Sequence, residues 1–139
     1  RALIIGAYTP YGQIDGFTKA LLERFWSLRH RNNLLRGKLC VTVLTGLDTR
    51  VLDNVNQSLA NEIKLYERMD LLGQLTVQGN LPCLTCGEGD ECEMSAVKIM
   101  YGLDAKTSDF EYSRVEDQKE IWKDAGRLGH LIGERLQKG

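Results

Sequence analysis

Residues 2–7 read Ala-Leu-Ile-Ile-Gly-Ala and residues 39–45 read Leu-Cys-Val-Thr-Val-Leu-Thr. Neither run alternates apolar with polar side chains, as a strand with one wet face would. Both have the near-continuous apolar character of strands covered by helices on two faces, which is how parallel sheets are built. Residues 71–78 read as a third strand. The intervals between them are helical in period. Phe17, Ala20, Leu21, Phe25 and Leu28 recur at three- and four-residue steps behind a candidate N-cap, Asp15. Leu52, Val55, Leu59, Ile63 and Tyr66 do so behind Asp48 or Thr49, and Ile121, Ala125, Leu128, Ile132 and Leu136 follow Ser113 and Glu116 in the S-x-x-E spacing of a capping box. Strands alternating with helices predict right-handed crossovers and an α/β sandwich with a parallel sheet. Three strands are few for a sheet covered on both faces, and Arg1 runs straight into the first of them. The expectation is one domain over residues 1–139, the C-terminal part of a sandwich whose N-terminal half is lacking.

The chain has 139 residues with 42% apolar and 27% charged side chains, enough of both for a folded core rather than disorder. Eighteen basic and nineteen acidic residues leave a net charge of -1, which recommends neither a nucleic-acid nor an anionic-membrane partner. The apolar run at residues 2–5 is too short for a bilayer span or a secretory signal, so a cytoplasmic location is expected. No Ser-His-Asp set, HExxH, Walker loop or GxGxxG occurs, which sets aside hydrolase and kinase readings.

In an open parallel sheet, ligands bind beyond the carboxyl ends of the strands. The loop there is Tyr8-Thr9-Pro10-Tyr11-Gly12-Gln13-Ile14-Asp15-Gly16. Pro10 stiffens it, Gly12 permits close backbone approach, and Tyr8 and Tyr11 offer flat faces to an aromatic ring; the same residues are also common turn formers. The stretch 6–24, GAYTPYGQIDGFTKALLER, resembles the second flavin-contacting loop and following helix of the flavodoxin-like NADPH-dependent FMN reductases and iron–sulfur flavoproteins. Gly37-Lys38 followed by CVTVLTG resembles their next strand, and residues 122–136 their closing helix. The resemblance implies a flavodoxin-like three-layer sandwich and noncovalent FMN. It also implies two-electron transfer from a nicotinamide cofactor to a small-molecule or protein acceptor, in a homodimer or homotetramer. By position, the flavin contacts would fall on Ala7, Tyr8, Thr9, Pro10, Tyr11 and Gly12, and on Thr45, Gly46 and Leu47. Tyr8 and Pro10 stand in the reverse of the family's usual order, and the Ser-, Thr- and Arg-rich phosphate loop of that family is not found in these residues. An electron-carrier flavoprotein, or a flavodoxin-like chain that has lost flavin binding and serves as an interaction protein, are the alternatives.

Cys83, Cys86 and Cys92 form C-x2-C-x5-C, with Pro82, Gly87 and Gly89 bending the backbone. Three thiolates so close suit an iron–sulfur cluster or zinc, a structural turn, or a redox pair of Cys83 and Cys86. The acidic Glu88, Asp90, Glu91 and Glu93 should raise the thiol pKa values and disfavour the redox pair. Cys40, inside an apolar strand, reads as core. Arg24, Arg29, Arg31 and Arg36 cluster near a helix end, as a seat for a nicotinamide-cofactor phosphate or as a solvated end matched to the helix dipole. His30 and His130 read as structural, Trp26 and Trp122 as packing residues, and residues 102–112 as the weakly structured stretch.

Overall fold

The structure, a computed structural model, describes residues 1–47 and 49–138, with only the backbone of Thr49. Strands β1 (Ala2–Tyr8), β2 (Leu39–Gly46) and β3 (Asp70–Gln78) form one parallel sheet in the order β1-β2-β3. Helix α1 (Gly16–Phe25) joins the first two strands. Helix α2 (Thr49–Asn61), continued by a π-helical turn at Glu62–Tyr66, joins the second and third. Two crossovers running in one direction along a sheet place their helices on one face when both have the usual hand. Accordingly, Leu22 and Phe25 of α1 and Leu52 and Leu59 of α2 pack with Ile5, Cys40 and Leu44 in one core. Helix α4 (Lys119–Gln137) covers the other face, with Leu128 set on Val41 and Leu75. The expected α/β sandwich is present: helices, parallel sheet, helix. A short helix, α3 (Ala96–Tyr101), follows the cysteines and has no counterpart in the sequence expectation.

Coverage of the second face is incomplete. Parallel register puts Ile4 beside Val41 and Gly6 beside Val43, on the face that carries α4. That helix packs on β3 and on Val41 of β2, and Ile4 is 62% exposed. The expectation that residues 2–7 are buried on both faces is therefore corrected: β1 is an edge strand with one covered face, and its apolar run gave no sign of this. β2, by contrast, is buried through most of its length on both faces.

The caps and stripes divide in the same way. Asp15 caps α1 as expected, its carboxylate accepting the Thr18 N–H at 2.9 Å and the Thr18 hydroxyl at 2.7 Å. The buried stripe of α1 is Thr18, Leu22 and Phe25, with Leu28 packed against the core behind it; Phe25 and Leu28 bear out the expected stripe, whereas Phe17, Ala20 and Leu21 face solvent and Thr18, its hydroxyl bonded to buried Asp15, takes the inward place. For α2, Asp48 and the Thr49 side chain lie outside the described residues. Its stripe holds from Leu52 to Ile63, while Tyr66 is exposed. No capping box forms ahead of α4. Ser113 instead exchanges two backbone bonds with the Asn80 side chain, both at 2.7 Å, and Gln118 precedes the helix. Trp26 and Trp122 are also more than half exposed, contrary to a packing role.

One buried polar link ties α2 to the sheet: the Thr42 hydroxyl donates to Asn56 Oδ1 at 2.7 Å, and Asn56 Nδ2 donates to the Leu75 carbonyl at 3.1 Å. β3 carries a bulge opposite Cys40 and Val41. Just past it, Gly73 lies under α4, where an added Cβ would stand 2.9 Å from Leu128 Cδ1.

Candidate functional site

The parallel strands deliver the loops after β1 and β2 to one edge of the sheet, and backbone bonds join them. Thr9 N–H donates to the Thr45 carbonyl at 3.1 Å, and Gly79 N–H donates to the Gly46 carbonyl at 2.8 Å. Close approach explains the glycine at 46: a Cβ there would collide with the Thr9 hydroxyl and lie 2.9 Å from Leu52 Cδ2. Asp15 locks the first loop from within. Its side chain accepts the Tyr8 N–H at 3.3 Å, and its own N–H donates to the Tyr8 carbonyl at 3.1 Å. Burial alone would push the Asp15 carboxyl up, but donors from Thr18, Tyr8 and Phe17 hold it below its ordinary value.

Of the expected ligand residues Ala7, Tyr8, Thr9, Pro10, Tyr11, Gly12, Thr45, Gly46 and Leu47, the structure sets Ala7 and Tyr8 beside Leu44 and Thr45 and Thr9 beside Thr45 and Gly46, whereas Gly12 lines a separate hollow against α2 with Asn54 and Val55. Pro10 opens a short 3-10 turn in which Tyr11 takes a left-handed backbone, φ 53°, a strained conformation for a bulky residue. Its side chain stands wholly in solvent. Tyr8 and Phe17 flank an open hollow of ≈ 440 Å³ floored by Gly6, Ala7, Val43 and Thr45. Three aromatic side chains, Tyr8, Tyr11 and Phe17, are presented to solvent rather than packed, and the hollow lies at the strand ends where a parallel sheet receives ligands. Phe17 is a member that sequence reasoning assigned to the core. Its neighbour Thr18 takes the inward place instead, its hydroxyl bonded to buried Asp15. These rings fit the flat part of a flavin, but the hollow's lining includes no basic side chain for its phosphate.

The cysteine segment is a separate structure. A 3-10 turn at Pro82–Leu84 is anchored by buried Leu81 and closed by Cys86 N–H donating to the Pro82 carbonyl at 3.1 Å. Cys83 Sγ accepts the Ala96 N–H at 3.3 Å, and Cys86 Sγ accepts the Glu88 N–H at 3.4 Å across the left-handed Gly87, φ 85°. Donation from Ala96, more than offsetting burial and aided by Val97, holds the Cys83 thiol below its ordinary value. This corrects the expected upward shift for that thiol, because backbone N–H groups in contact outweigh exposed carboxylates in water. Among the described residues, no three His, Cys, Asp or Glu side chains are gathered as a metal would need, Cys83, Cys86 and Cys92 included. Cys40 is fully buried, as expected.

No helix among the described residues is long and apolar enough to cross a membrane. No family model matches the chain, and no curated protein matches it.

Proposed function

We propose that the chain carries the ring-contacting side of a flavodoxin-like, FMN-dependent oxidoreductase site, fed by NADH or NADPH. The observation that carries this reading is the pair of joined loops at the carboxyl edge of the parallel sheet, with Tyr8 and Phe17 exposed around one hollow. A bound flavin supplies two-electron transfer; the protein's part is orientation and shielding. Tyr8 and Phe17 would present apolar faces to the ring and exclude water from it. The Asp15 bonds hold the loop in one conformation before the ligand arrives, which lowers the ordering cost of binding. No side chain in the hollow need move a proton.

The test is titration of FMN into the purified chain, read by quenching of flavin fluorescence, followed by NADPH and NADH oxidation assays. Saturable quenching that weakens about tenfold in Tyr8→Ala or Phe17→Ala is expected, on the scale of a lost aromatic contact. A folded chain that takes up no FMN overturns the reading and leaves the interaction-protein alternative. Metal analysis of the same sample decides whether Cys83, Cys86 and Cys92 hold an iron–sulfur cluster or zinc.

A further inference from the structure

At the opposite edge of the sheet, where β2 and β3 begin, two connections meet. Asn33 joins them: its side-chain amide donates to the Glu67 carbonyl at 2.9 Å, while its Oδ1 accepts the Leu35 and Arg36 amides at 3.0 and 3.1 Å. Gly37 N–H adds a bond to the Arg68 carbonyl at 2.9 Å. The clip gathers Arg29, Arg31, Arg36 and Arg68, with Asn32 and Tyr66, around a hollow of ≈ 510 Å³. No acidic side chain lines it. Arg29 is held in place, stacked 4.5 Å from the Trp26 ring centre and 3.5 Å from an oxygen of buried Glu67. Among the described residues, Arg31, Arg36 and Arg68 form no ion pair with an acidic side chain. Arg31 and Arg68 also have left-handed backbones, φ 64° and 53°, conformations in which glycine or asparagine would be at ease. A chain with net charge -1 therefore concentrates three unpaired guanidinium groups, two on strained backbone, around one preformed concavity.

We propose that this hollow binds a small molecule through a diphosphate group, independently of the flavin site. Guanidinium groups match phosphate oxygens by paired N–H donation, and several converging on one hollow suit an anion carrying more than one charge. The site is not the place of hydride transfer. β2 separates it from the Tyr8 loop by about 23 Å, eight residues of strand.

Inorganic pyrophosphate is the probe, titrated calorimetrically at about 0.15 M ionic strength so that unspecific attraction is screened. Saturable one-to-one binding is expected. The double variant Arg31→Asn/Arg68→Asn, which removes two charges and relieves two strained residues, should remain folded and bind at least tenfold more weakly, about the worth of one charge-assisted contact. Arg36→Gln should weaken binding as well, and Arg24→Asn, outside the hollow, should not. Pyrophosphate should also raise the melting temperature of the parent chain but not of the double variant. Absence of saturable binding, equal displacement by added chloride, or unchanged affinity in the folded double variant overturns the proposal. So does tight binding of a short oligouridylate that pyrophosphate fails to displace, which would mark a nucleic-acid surface. Because FMN binding is read separately, failure here leaves the flavin reading intact, and the reverse also holds.

Discussion

Asp15 serves two masters, the first turn of α1 and the loop after β1. Asp15→Ala should cost about 1–2 kcal/mol, the upper range for an N-cap, because a loop anchor goes with it. Its carboxyl is held below the ordinary 3.8, so its contribution is present above that value and is lost as pH falls through the lower folded value. Denaturant unfolding at neutral pH and near pH 3 should show the variant converging on the parent in acid. Glu67 runs the other way: burial first, then Glu62, push its carboxyl above 4.5 against the pull of Arg29. Its contribution is full below 4.5 and fades as pH rises through the higher folded value, so Glu67→Gln should flatten stability between acid and neutral pH. Among the thiols, Cys83 should alkylate ahead of Cys40, which burial pushes to about 11. Peptide mapping after brief iodoacetamide treatment checks the order, and faster labelling of Cys40 would overturn it.

At the scale of elements, α2 is tied to the sheet by a buried polar link as well as by its apolar stripe. Asn56→Ala should cost about 1–3 kcal/mol, since it leaves the Thr42 hydroxyl and the Leu75 carbonyl without their partner in a dry interface. β1 gives the contrary expectation. Ile4→Thr, in a run that reads as deeply buried, should change stability by no more than about 0.5 kcal/mol, as at a surface position. Urea midpoints of the two variants test both. The contrast shows what the sequence could carry. Strand positions were legible because β-branched and apolar runs report the backbone pleat. Which face of β1 stays wet was not, because that depends on how far α4 reaches across the sheet, a tertiary fact with no local signature. The six residues of α3 are too few to establish a helical period, and Ser113, with the right spacing for a cap, found a better partner in Asn80.

Over the whole molecule, the two candidate sites differ in how they could be found. The loop after β1 is continuous, so its nine adjacent residues could be read together as a candidate; of them Tyr8 and Asp15 line the hollow, and the exposure of Phe17 escaped. The arginine hollow is assembled from two connections. Arg29, Arg31 and Arg36 stood out together, but Arg24 does not line it and Arg68 joins from more than thirty residues away. The sheet that separates the sites also sets the pace at which they come into being. Among the described residues every strand pairing is parallel and distant: Ala2 meets Leu39 across 37 positions, and Leu39 meets Asp70 across 31. With no hairpin among the described residues to nucleate it, the sheet begins only after a long chain segment has closed on itself. Refolding is therefore expected on the millisecond-to-second scale of high-contact-order domains, not the microseconds of a helical bundle. Until that closure, the apolar runs of β1 and β2 are exposed together, and the newly made chain is open to self-association for as long as its topology takes to form.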